Sequence, residues 1–145
     1  MRRIAEYRQK IDEGLRRNGE GRIMAVGILG TDVFDKLLVL RALRPHFPEA
    51  LFFTTDFDET LLMPSELSWT RNLIISSSFG PELRPEIQCN IPPFRSSYQT
   101  AAFLATQLAI IRDGPNAGRK CTVDQEKISG WLRRPRIFEI ERTGN

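Results

Sequence analysis

Three short apolar runs, each ending on or soon followed by hydroxyl or acidic residues, constrain this chain more than anything else in its sequence. They are Arg22-Ile-Met-Ala-Val-Gly-Ile-Leu29, Ala50-Leu-Phe-Phe-Thr-Thr55 and Asn72-Leu-Ile-Ile-Ser-Ser77. A half-exposed strand alternates apolar and polar residues, whereas a near-continuous run of strand length suits a strand buried on both faces of a parallel sheet. A helical pattern from Val33 to Arg44, with Leu37, Leu40 and Leu43 recurring, separates the first two runs, and Pro45 and Pro48 close it. Strand, helix and strand in that order make a βαβ unit with a right-handed crossover.

The remaining segments arrange themselves around this unit. Ile4, Tyr7, Ile11 and Leu15 recur at helical spacing, and Asp12–Arg16 and Glu13–Arg17 are acid-before-base pairs, so residues 3–18 read as an amphipathic helix stopped by Asn18-Gly19. Residues 79–97 hold four prolines and read as a long ordered loop. Ser96 or Ser97 then caps a helix from Tyr98 to Ile111, which is apolar nearly all round and is expected to be buried. A turn-rich break follows at Asp113, then a short helix over 123–132, and Arg136-Ile-Phe-Glu-Ile-Glu141 alternates like a half-exposed terminal strand. The expectation is a single α/β domain over 1–145, a Rossmann-like three-layer lobe with a mainly parallel sheet. It has an extra N-terminal helix at 3–18, a βαβ-β-α core over 22–112, and a C-terminal helix and strand over 113–145.

Charge and composition narrow the functional classes. The net charge is +3, and the arginines lie mostly near the ends without a basic patch interleaved with aromatics, which argues against a nucleic-acid partner. The most apolar helical run, Ala101 to Ile111, is about half the length needed to span a bilayer. The first twenty residues mix acids and bases without an apolar stretch, so no secretory leader is expected in this sequence and cytoplasmic is the default location, the sequence naming none. His46 follows Pro45 and reads as an exposed turn residue. With Cys89 and Cys121 it does not make up the ligand set of a tetrahedral zinc site. A Cys89–Cys121 disulfide and two free thiols both fit the sequence.

In an open α/β sheet, ligands bind beyond the carboxyl ends of the strands. Three polar tips are expected there: Thr31-Asp32, Thr54-Thr55-Asp56 with Asp58, and Ser76-Ser77-Ser78. Each tip also has an ordinary structural use, since Asp, Thr and Ser cap helices and make turns. The candidate ligand-binding set is Thr31, Asp32, Thr55, Asp56 and Ser77.

Phe53-Thr-Thr-Asp56-Phe-Asp58-Glu-Thr60-Leu61 resembles the first motif of the haloacid dehalogenase superfamily. That resemblance implies a Mg²⁺-dependent phosphohydrolase with Asp56 as nucleophile and Asp58 as general acid/base. Ser76 or Ser77 resembles the second motif. Asp113-Gly-Pro-Asn116 is similar to the metal-binding fourth motif, which implies Asp56, Asp58 and Asp113 as metal ligands.

From Ile23 to Ile140 the order of elements resembles the C-terminal lobe of the type I periplasmic-binding fold, found in branched-chain amino-acid-binding proteins and receptor ligand-binding regions. The likeness is carried by Ala25-Val-Gly-Ile-Leu-Gly-Thr-Asp32, Leu51-Phe-Phe-Thr-Thr-Asp56, Asn72-Leu-Ile-Ile-Ser-Ser-Ser78, Pro93-Phe-Arg-Ser-Ser-Tyr98 and Pro135-Arg-Ile-Phe-Glu-Ile140. It implies a sensor lobe for a small polar ligand, such as an amino acid, whose ammonium is held by Asp56 with Thr31 and Asp32 lining the cleft. No catalytic residue or cofactor is then required. That fold closes on its ligand between two lobes, so a second lobe would come from another chain, from self-association or from a longer receptor-like protein. A third expectation is a protein-interaction module with no small-molecule ligand, using the Ile4–Leu15 stripe and the proline-rich loop. Of the three, recognition of a small polar ligand is favoured over catalysis.

Overall fold

The computed structural model describes residues 2–113, 128 and 135–141. Its helices are α1 (Arg2–Arg17), α2 (Val33–Leu43), α3 (Leu67–Thr70), α4 (Pro85–Gln88) and α5 (Ser97–Asp113). The strands are β1 (Ala25–Ile28), β2 (Leu51–Thr55), β3 (Leu73–Ser77) and β4 (Arg136–Glu139). Short 3-10 turns at Arg44–His46 and Glu59–Leu62 complete the series, the first holding His46 half-buried and not exposed as expected. The fold is mixed α/β, with one open, mainly parallel sheet ordered β1-β2-β3-β4. β1 and β2 pair in parallel with Ala25 beside Leu51 and Ile28 beside Thr54, as the βαβ reading requires. The C-terminal helix expected over 123–132 lies outside the described residues except for Ile128, which is helical and buried.

By its contacts the chain forms two compact units. The first comprises Met1–Thr55, Thr60–Ile74 and Glu139–Asn145, and the second Asp56–Glu59 and Ile75–Phe138.

In the first unit the strand order decides which faces are buried. A sheet that adds strands in one direction through right-handed crossovers puts its connecting helices on one side. α2 and α3 accordingly pack together, tied by Arg41 Nη2 to both carboxylate oxygens of Glu66 at 2.5 and 2.6 Å. Ile28, Phe52, Thr54 and Leu73 are buried with Leu37, Leu40 and Leu61. Buried Thr54 satisfies its hydroxyl by donating to the Ile28 carbonyl across the strand pair at 2.7 Å. The opposite face stays open: Ala25, Gly27, Leu51 and Phe53 are exposed. The expectation that the first apolar run is buried on both faces is therefore corrected. Only Ile28 of β1 is buried.

Local signals in this unit act as read. α1 ends in a Schellman motif, with Gly19 at φ 72, its amide donating to Arg16 and that of Glu20 to Leu15. Asn72, at φ 57, donates to the Ile140 carbonyl, while the Ile140 amide donates to Leu73. This exchange is an antiparallel pairing with one extra left-handed residue, a β-bulge, and asparagine is among the few side chains that tolerate that conformation.

In the second unit, Ile87, Leu104 and Ile128 form a cluster flanked by Phe79, Leu83, Phe103 and Leu108. The proline-rich loop owes its order to one buried side chain. Gln88 Oε1 accepts from the Leu83 amide at 2.6 Å, and its Nε2 donates to the carbonyls of Ile91 and Pro92, both at 3.0 Å. Ser96 is the cap of α5, accepting from the Gln99 amide, while Gln99 Oε1 accepts from the Arg95 amide in a variant of the capping box. The expectation of a wholly buried helix is corrected: Thr100 and Leu104 are buried, but Tyr98 is 79% exposed and Ile110 is exposed. Cys89 is disulfide-bonded, which selects the oxidised alternative at that residue; the sequence holds one other cysteine, Cys121, outside the described residues.

Two outcomes follow for stability. Arg41→Met leaves the mostly buried Glu66 carboxylate without its guanidinium partner and should cost roughly 1–3 kcal/mol, while adding Glu66→Gln should recover part of it, both read by urea denaturation. Cys89→Ser should lower stability by about 2–4 kcal/mol and make the melting temperature indifferent to reductant.

Candidate functional site

The parallel register sends β1 and β2 out of the sheet at the same end, so within the first unit Thr31, Asp32 and Thr55 belong to one strand edge. Asp32 is the N-cap of α2: its Oδ1 accepts from the amides of Phe34 and Asp35 at 2.8 and 3.1 Å. A capping carboxylate at the positive end of a helix stabilises that helix whether or not a ligand is present. Thr31 is exposed in the bend before it. Thr55 is half-buried, and its carbonyl is already engaged.

The donor to Thr55 is a residue that the sequence reading missed. Lys36, on the first turns of α2, is only 4% exposed and places Nζ 2.6 Å from the Thr55 carbonyl oxygen. Burying an ammonium costs several kcal/mol unless it is well hydrogen-bonded, so its contacts at the strand end are part of what makes this position tolerable. A signal existed: Lys36 is four residues before buried Leu40, so the helical repeat puts it on the inward stripe. A half-buried cation, Arg44, stacks its guanidinium over the Phe52 ring at 4.8 Å, and partial burial pushes its pKa below the ordinary arginine value.

The second unit carries Asp56, Asp58 and Ser77. Asp56 leaves β2 in the left-handed conformation, φ 60, and its amide donates to the Ser76 carbonyl at 3.3 Å. That bond sets Asp56 beside the Ser76-Ser77-Ser78 tip. The Asp56 side chain is exposed and, among the described residues, its carboxylate has no hydrogen bond or ion pair. Ser77 is buried, and its hydroxyl accepts from the Phe79 amide in a local turn, whereas Ser76 and Ser78 are exposed.

Asp58 is held differently. It forms an antiparallel bridge with Ser96, while Phe57 accepts from the Ser97 amide and Glu59 donates to the Arg95 carbonyl. The acid therefore lies at the entry to α5, where the helix dipole favours negative charge. Asp113 is the last residue of α5, and its side chain lies outside the described residues. Among the described residues, no group of three His, Cys, Asp or Glu side chains could hold a metal ion, and no helix is long and apolar enough to cross a membrane.

Of the candidate residues, Asp32 and Ser77 are thus engaged in local structure, and Asp56 is the exposed carboxylate that local structure does not use. No family model, curated protein or solved structure matches this chain. If Asp32 serves as a cap, Asp32→Ala should lower stability by about 1 kcal/mol, and Asp32→Ser should restore most of it, as measured by thermal unfolding.

Proposed function

We propose that this chain recognises a small polar ligand bearing an ammonium group, with the Asp56 carboxylate as the anchor. The observation that carries this reading is a strand-end aspartate in a sparsely populated backbone conformation, its side chain exposed and its amide bonded to the Ser76 carbonyl. Left-handed non-glycine residues cost free energy and concentrate where a side chain must be aimed, although aspartate tolerates the region better than most. An exposed carboxylate attracts an ammonium through a charge-assisted hydrogen bond, and neighbouring hydroxyls supply both donors and acceptors. The likeness to the type I periplasmic-binding fold supports the same chemistry. It suggests a sensor lobe that acts within a longer receptor or beside a partner chain.

A second reading, an interaction module without a small ligand, is favoured by the open apolar face of β1 and β2. The two are separated by a ligand screen. In thermal-shift titrations with free amino acids and simple amines, a ligand should raise the melting temperature, and Asp56→Asn should weaken its binding by about tenfold or more. Stabilisation that survives Asp56→Asn would remove the proposed anchor. Mg²⁺-dependent hydrolysis of a phosphate ester, lost in Asp56→Asn, would instead establish the haloacid-dehalogenase-like chemistry.

A further inference from the structure

We infer that the disulfide at Cys89 is a redox latch on the loop over 81–94, holding it in a backbone conformation from which reduction releases it. This does not rest on the ligand-binding role of Asp56. Among the described residues three non-glycines take a positive φ: Asp56, Asn72 and Cys89. Aspartate and asparagine are the side chains that tolerate such a backbone best, and cysteine is not one of them. Cys89 combines φ 57 with ψ −132. The Ile91 amide donates to the Gln88 carbonyl at 3.3 Å, so Cys89 holds the first central position of a type II′ turn, a place that takes glycine. A side chain there persists only where its surroundings over-determine the backbone. The disulfide at Cys89 supplies that constraint.

The turn lies inside a closed loop. The Phe94 amide donates to the Pro81 carbonyl at 2.8 Å, and just outside that bond the Thr100 hydroxyl donates to the Gly80 carbonyl at 2.8 Å. A loop with its ends held together and its interior packed by its own side chains is an Ω-loop. The residues that point inward, Ile87 and Gln88, immediately precede Cys89. Ile87 fills the cluster with Leu104 and Ile128, and Gln88 bonds Leu83, Ile91 and Pro92. Cys89 and Asn90 are exposed, and exposed disulfides are the labile ones. The latch is thus at the surface, while the groups it positions are buried.

The exchange balances with a dithiol reductant. One of its thiolates attacks the disulfide, which forms a mixed disulfide and releases one cysteine thiolate of this chain. The second thiol of the reductant then displaces the other cysteine. Two electrons and two protons pass to the chain, and the reductant leaves as its own disulfide. Cys89 is then free to return to negative φ, which opens the Gln88–Ile91 turn, loosens the Gln88 bonds and draws Ile87 from its cluster.

Amide exchange over 81–94, with and without dithiothreitol, tests the latch. Reduction of the unsubstituted chain should speed exchange at Leu83 and Ile91 by about tenfold. Cys89→Gly and Cys89→Ala both remove the bridge but differ in the backbone they accept. The glycine variant takes the turn conformation without strain, so its loop should stay protected with or without dithiothreitol. The alanine variant should exchange like the reduced chain under both conditions. A bridge acting only as a crosslink would leave the two variants alike, or make glycine the looser through its greater chain freedom. Either of those results, or a loop in the unsubstituted chain indifferent to dithiothreitol, would overturn the proposal. That last comparison involves no substitution, so it decides even where a variant folds poorly.

Discussion

The parallel pairing of β1 with β2 is the constraint on which the rest of the first unit depends. Once Ile28 stands beside Thr54, both strands leave the sheet at one end, and the Thr54 hydroxyl can reach the Ile28 carbonyl. The helix between them must then cross on one side, and α3 follows α2 there because the strands are added in one direction. Burial on that side and exposure on the other are two consequences of the same order. Doubly wound sheets reverse their order and so cover both faces and open a crevice at the reversal. Among the described strands no reversal occurs.

Local hydrogen bonding then divides the polar residues at the strand ends. Helix α2 needs a cap, and Asp32 provides it; the turn after β3 needs an acceptor, and Ser77 provides that. The bridge from Phe57–Glu59 to Arg95–Ser97 holds Asp58 at the entry to α5. Asp56 differs because its backbone is held by the Ser76 carbonyl while its carboxylate is left in solvent. The buried Lys36 ammonium is a third kind of polar group, one whose desolvation is offset by strand-end acceptors.

The α/β class, the parallel pair, the capping of α2 and α5, and the Gly19 stop were all legible because each rests on local chemistry. An apolar run of strand length, a side-chain oxygen before a helix and a glycine after one act over a few residues, and tertiary context seldom reverses them. Burial was read less well. The first apolar run and the apolar helix α5 were both expected to be enclosed, yet each shows an exposed face. Apolarity records what a segment can bury, but whether anything covers it depends on which elements the topology brings alongside. Lys36 was missed for the related reason that a lysine in a helix is ordinarily solvated, and only its position relative to Leu40 marks it as inward.

The amino-acid sequence by itself determined the kinds of elements, their order, the strand-to-helix handovers and the caps that bound them, because these follow from interactions between residues close along the chain. Only the tertiary structure decided the strand order, the exposed face of β1 and β2, the burial of Lys36 beside Thr55, the left-handed backbone of Asp56 and the bulge at Asn72. Those features depend on contacts between residues tens of positions apart. Such contacts form after the local elements exist, and the residues concerned carry little mark of them in their immediate sequence.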